Sequence, residues 1–69
     1  MKKTKKEILE KLIENNDELL QIKQIQERYL QREILINPKM QNDLGRLQME
    51  IKSIQKFLEY LEEILKEEK

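Results

Sequence analysis

Residues Met40 to Leu65 read MQNDLGRLQMEIKSIQKFLEYLEEIL. The apolar positions are Met40, Leu44, Leu47, Ile51, Ile54, Leu58, Leu61 and Leu65, in alternating steps of four and three. An α-helix turns about 100° per residue, so this spacing lines one narrow face: the seam of a coiled coil. A seam must be covered, and the segment preceding it in the chain is the nearest candidate. Phe57 and Ile64, seven apart, form a flanking row beside it, with Met49 and Tyr60 further round.

Upstream, residues 5–36 contain neither Gly nor Pro. Thr4-Lys5-Lys6-Glu7 has the spacing of a capping box, in which hydroxyl and carboxylate satisfy backbone N–H groups at a helix start. The helix it opens is apolar over a wide arc. One row runs Ile8, Leu12, Leu19, Ile22, Tyr29, Ile36, and a second beside it runs Leu9, Ile13, Leu20, Leu30, Ile34. One stripe serves one neighbour, so two adjacent rows predict two. The first row, with Leu12, Leu19, Ile22 and Tyr29, is expected to meet the seam residues Leu44, Leu47, Ile51, Ile54, Leu58, Leu61 and Leu65 as the core of a hairpin. The second, with Leu9, Ile13, Leu20, Leu30 and Ile34, is expected to join Phe57 and Ile64 as a surface for another chain. Asn15 and Gln26 interrupt the first row, Asn16 and Lys23 the second. Asn15, Gln26 and Gln48 are candidates for polar residues that fix register, with wet rim positions as the plainer reading.

Ile36-Asn37-Pro38 breaks the helix. A residue before proline is driven out of helical backbone, Pro suits a helix's first turn, and Asn suits the cap before it. The expectation is a first helix over about 5–36, a turn within about 37–42, and a second helix from 38 or 43 to 67, forming one domain. A kinked continuous rod is the alternative. Charge favours the hairpin: Lys2, Lys3, Lys5 and Lys6 crowd the start of the first helix, and Glu62, Glu63, Glu67 and Glu68 the end of the second. Folding back sets these unlike charges together. With the turn near residue 37, facing residues sum to about 74 or 75, which sets Leu12 near Leu61 and Glu62, Gln26 near Gln48, and the ring of Tyr29 over Gly45.

The fold class is therefore all-α: an antiparallel, coiled-coil-like helical hairpin. With 41% charged residues against 38% hydrophobic in 69 residues, the composition fits long helices rather than a globule. A chain this short buries only roughly 60% of its unfolded surface even as a globule, and an elongated hairpin buries less. No Cys or His is present to supply a disulfide or a typical zinc site. Self-association is the expected supplement, giving a homodimeric four-helix bundle.

The same inventory narrows function. Without His or Cys, with one Gly, and with Thr4 and Ser53 as the only hydroxyls besides tyrosine, no nucleophile–base pair, zinc site or glycine-rich phosphate loop is expected. No enzyme activity, cofactor, metal or small-molecule substrate is expected. Fourteen basic residues balance fourteen acidic ones, whereas nucleic-acid binders carry a basic excess. The strip Lys23, Arg28, Arg32, Lys39 is interleaved with Glu27 and Glu33, as on a salt-bridged helix surface. Nor does any apolar run approach the roughly 20 residues of a membrane span. The lysines after Met1 resemble the start of a signal peptide, but Glu7, Glu10 and Glu14 interrupt the stretch where its apolar core would lie. A cytoplasmic location is expected.

Three families of small helical hairpins offer comparison. Sporulation phosphatases carry Ser-Gln-Glu-Leu-Asp on their second helix, where Leu47-Gln48-Met49-Glu50-Ile51 has neither the Ser nor the Asp, so their activity is not carried over. In architecture the chain is similar to plasmid Rop-type RNA-binding hairpins, which dimerise into four-helix bundles. It is also similar in length to the hairpin co-chaperones of secretion-needle subunits. None of these supplies a motif that assigns membership. The reading is a small regulatory or adaptor protein acting by protein–protein interaction, with itself, a heterologous partner, or both. The alternatives are a co-chaperone or inhibitor folded on another protein, and a Rop-like RNA-binding bundle.

Overall fold

The computed structural model describes residues 3–68. Helix α1 spans Lys5–Ile36 and helix α2 spans Gln41–Glu67, joined by a single 3-10 turn, Pro38–Met40. The two helices pack against each other as a hairpin.

Local chemistry fixes both ends of α1. Thr4 is extended, and its hydroxyl accepts from the Glu7 N–H at 3.1 Å. That satisfies a donor which the first turn cannot pair within the helix. At the other end Asn37, held extended by the proline after it, donates its N–H to the Glu33 carbonyl at 2.7 Å. Its side-chain oxygen accepts from the Lys39 N–H at 3.2 Å, and its carbonyl accepts from the Met40 N–H at 3.1 Å. One residue thus stops α1 and caps the turn that leads into α2, so the reversal needs almost no loop. The turn passes directly into α2.

Two ion pairs set the register. Lys5 Nζ lies 2.8 Å from Glu68 Oε1 at the open end, and Lys23 Nζ lies 2.8 Å from Glu50 Oε2 near the middle. The residue numbers of both pairs add to 73, so the helices run past each other without a slip. Glu68 also holds the Lys5 ammonium above the ordinary lysine range, by hydrogen bonding and then by charge.

Allowing for the one-residue reach of these long side chains, facing backbone positions add to 74, which lays the α2 seam on Leu9, Ile13, Asn16, Leu20, Lys23, Glu27, Leu30 and Ile34 of α1, all of them buried or half-buried. Leu9 faces Leu65, Ile13 faces Leu61, Asn16 faces Leu58, Leu20 faces Ile54, Lys23 faces Ile51, Glu27 faces Leu47, Leu30 faces Leu44, and Ile34 faces Met40. Burial tracks the same line: Leu9, Leu47, Ile51, Leu58 and Leu61 are buried, and the other α1 seam positions are half-buried.

The seven α2 positions Leu44, Leu47, Ile51, Ile54, Leu58, Leu61 and Leu65 are all buried or half-buried. On α1 the two rows exchange roles. Leu12, Leu19, Ile22 and Tyr29, expected in the core, are 38%, 41%, 54% and 62% exposed. Leu9, Ile13, Leu20, Leu30 and Ile34, expected on an outer surface, form the seam. The physical reason is register. Both rows keep steps of four and three once their polar members are counted, Asn15, Gln26 and Glu33 in one and Asn16, Lys23 and Glu27 in the other, so periodicity alone does not choose between them; the pairing with α2 turns the Leu9 row inward.

Gly45 also departs from expectation. It lies on an exposed face of α2, with nothing within 4 Å of where a Cβ would stand. Tyr29 and Gly45 line different clefts on opposite sides of the hairpin, so the ring does not account for the glycine.

The molecule is one layer thick, with Cα extents of 51 × 21 × 13 Å. Most domains bury an apolar face between two or more layers. Here no described side chain falls below 2% exposure.

Candidate interaction surface

A hairpin with a single seam has two flanks. Each is built from positions next to the seam on both helices, because antiparallel packing brings equivalent flanking positions together. One flank carries Glu10, Asp17, Gln24 and Gln31 of α1 with Gln41, Gln48, Gln55 and Glu62 of α2. Every one is polar. Its middle opens as a shallow cleft where Gln24, Gln48 and Gln55 come together, confirming that these positions share a side.

The opposite flank carries Leu12, Leu19, Gln26 and Glu33 of α1 with Asp43, Glu50, Phe57 and Ile64 of α2. Its half towards the chain ends is apolar, in the facing sets Leu12 with Ile64 and Leu19 with Phe57. Its half towards the bend has polar seam-adjacent positions, Gln26 with Glu50 and Glu33 with Asp43. Ile8, Asn15, Ile22 and Tyr29 border it on α1, and Tyr60 on α2. Ile8, Leu12, Leu19, Ile22, Phe57 and Tyr60 are all more than a third exposed. The apolar half is therefore a contiguous, solvent-facing patch, whereas the positions next to the seam on the other side are all polar, with exposed Met49 bordering them.

Near the bend the same flank opens into a cleft of about 600 Å³, where Ile25, Tyr29, Leu30 and Leu47 form an apolar floor and wall and Lys23, Gln26, Asp43, Arg46 and Glu50 rim it. Its charges are mixed. A smaller cleft of about 180 Å³ lies by Ile8, Leu12 and Asn15.

The residues expected to set register fall outside the seam. Asn15 and Gln26 are exposed beside the apolar flank, and Gln48 is exposed on the polar flank. The polar residues that do occupy the seam are Asn16, Lys23 and Glu27, all half-buried. Asn16 turns its amide back to the Leu12 carbonyl, donating at 2.8 Å. Lys23 carries its stem across the seam and its ammonium out to Glu50. A usable signal for this row was present in the sequence. Subtracting each α2 seam position from 74 returns the α1 seam residue by residue.

Of the expected outer surface, Phe57 and Ile64 lie where they flank the seam: Phe57 is exposed and Ile64 half-buried. Their α1 companions are Leu12 and Leu19 rather than the Leu9 row. Of the basic strip, Lys23 is committed to its ion pair. Among the described residues no group of three acidic side chains is disposed to hold a metal ion, and no helix is long and apolar enough to cross a membrane.

Compared with known proteins, the chain matches no family model, no curated protein and no solved structure. What bears on function is therefore the surface itself.

Proposed function

We propose that this is a small, non-enzymatic interaction protein: a helical hairpin that pairs with a second copy as a four-helix bundle and works through the bundle's surface as an adaptor or regulator. The observation that carries this reading is the one-sidedness of the hairpin. Ile8, Leu12, Leu19, Ile22, Phe57 and Tyr60 share one flank, while the seam-adjacent positions of the other are all polar. Contiguous exposed apolar patches rimmed by polar residues mark protein contact sites.

Area supports it. The chain exposes 6042 Å², whereas a compact monomer of 8.5 kDa exposes about 4,650 Å². The surplus of about 1,400 Å² exceeds the roughly 800 Å² per partner of a standard interface. Sedimentation equilibrium tests the reading: a dimer is expected at micromolar concentration, and Leu19→Glu, which sets a charge in the patch, is expected to give a monomer. A well-folded wild-type monomer at that concentration defeats it.

The polar seam favours one second reading. Asn16, Lys23 and Glu27 thin the hairpin's own core, so a heterologous protein covering the same flank would serve as well as a second copy. Circular dichroism of the purified chain distinguishes the two, since a chain that depends on a foreign partner is poorly helical alone.

A further inference from the structure

We infer that the two copies pack end for end and offset. The hairpins run in opposite directions, overlap over the halves that carry their chain ends, and point their bends away from each other. This rests on the dimer reading above and specifies its geometry.

A two-fold dimer must place one patch on itself, so the patch has to be self-complementary under the rotation. Two rotations stack the apolar flanks face to face. In the first, the axis runs along the bundle and the bends lie at the same end, with α1 over the partner's α2 and equal heights in contact. Ile8 then lies over the partner's Glu67, and Ile22 over the partner's Ser53. Glu33 and Asp43 of each copy converge on the bundle axis, beside Glu50, which Lys23 already pairs, and Arg46. Gathering like charges out of water is strongly unfavourable.

In the second, the axis crosses the bundle and the bends lie at opposite ends, with each helix over its own counterpart. Full overlap sets the Leu12 and Ile64 layer against the partner's Glu33 and Asp43. Sliding the copies until the axis passes near Asn15 and Tyr60 removes that conflict. Ile8 and Leu12 now lie over the partner's Ile22 and Leu19, and Phe57 lies towards the partner's Ile64. The acidic layers separate. Glu50, paired with Lys23, comes to the height of the partner's Lys5 rather than of its carboxylates, and Glu33 and Asp43 project beyond the overlap. Asn15 sits at the axis close to the partner's Asn15, the place where a polar pair fixes register in helical bundles.

A chain without Cys allows the test to be made with single labels. Asn42 is exposed on α2 beside the bend, and Asn42→Cys can carry a nitroxide for pulsed electron-spin distance measurement in the full-length protein. From the axis near Asn15 to the height of Asn42 is about 17 residues at 1.5 Å each, so the two labels are expected about 50–60 Å apart. Lys39→Cys, on the turn itself, is expected to repeat the result should the first variant be poorly helical. A distance below about 40 Å, as bends at the same end or full overlap would give, overturns the inference while leaving the dimer intact. A monomer by sedimentation defeats the dimer reading, and this geometry with it.

Discussion

At the scale of single residues, Gly45 is the clearest local misfit. Glycine inside a helix costs about 1 kcal/mol relative to alanine, and open space surrounds the missing Cβ. Gly45→Ala is therefore expected to raise stability by about 1 kcal/mol, read from the midpoint of urea unfolding; an unchanged midpoint would mean the glycine has a role that the packing does not reveal. Thr4 is the converse case. Its hydroxyl holds the Glu7 N–H, and Thr4→Ala should lower stability by about 1 kcal/mol. Asn15 is exposed in the lone hairpin, so Asn15→Leu costs little there. In the offset dimer it removes the polar pair at the axis, and spin labels at Asn42 should then report more than one distance where the wild type gives one.

At the scale of the helices, the α2 seam was legible because a single apolar row runs through it without interruption. The first helix was harder for a definite reason. It carries two neighbouring rows of equal apolar content, five apolar and three polar residues over eight positions each, so hydrophobicity alone does not choose between them. Register decides instead, and register is a property of two helices together. The helix boundaries depended only on local rules at Thr4, Asn37 and Pro38, and these are written in the sequence. The polar seam has its own consequence. Glu27 is half-buried opposite buried Leu47, so Glu27→Leu should stabilise the hairpin by about 1–2 kcal/mol through added apolar burial. Thermal unfolding of the variant checks this, and a loss of stability would point to an ionic role for Glu27 that outweighs burial.

At the scale of the whole molecule, the two flanks differ: the seam-adjacent positions of one are all polar, and half of the other is apolar and exposed. The ionic contacts are thin by comparison: exposed pairs such as Lys11 with Glu14 contribute about 0.2–1 kcal/mol and weaken with salt. Association through the apolar patch should thus be nearly insensitive to added salt, and a dimer dissociation constant that rises steeply with ionic strength would contradict an apolar interface. None of this was visible from composition. The dimension that matters is which side of a one-layer hairpin each residue reaches, and that emerges only from the paired seams.

The one-residue connection at Asn37 also says how the chain gets to this state. Ile34 and Met40 are six residues apart, and each further seam layer encloses only a few more, so every contact forms by extending the one before it. Such a topology closes like a zip from the bend, without long loops to organise first. Glu27 and Lys23 stand two and three layers along, while the buried Leu9, Leu58 and Leu61 come last. Weak layers early and strong layers late put the kinetic barrier close to the bend. Leu30→Ala or Leu44→Ala should slow folding, whereas Leu9→Ala should chiefly hasten unfolding. Stopped-flow rates for the three variants, measured on the intramolecular phase, separate a bend-first order from one that starts at the chain ends.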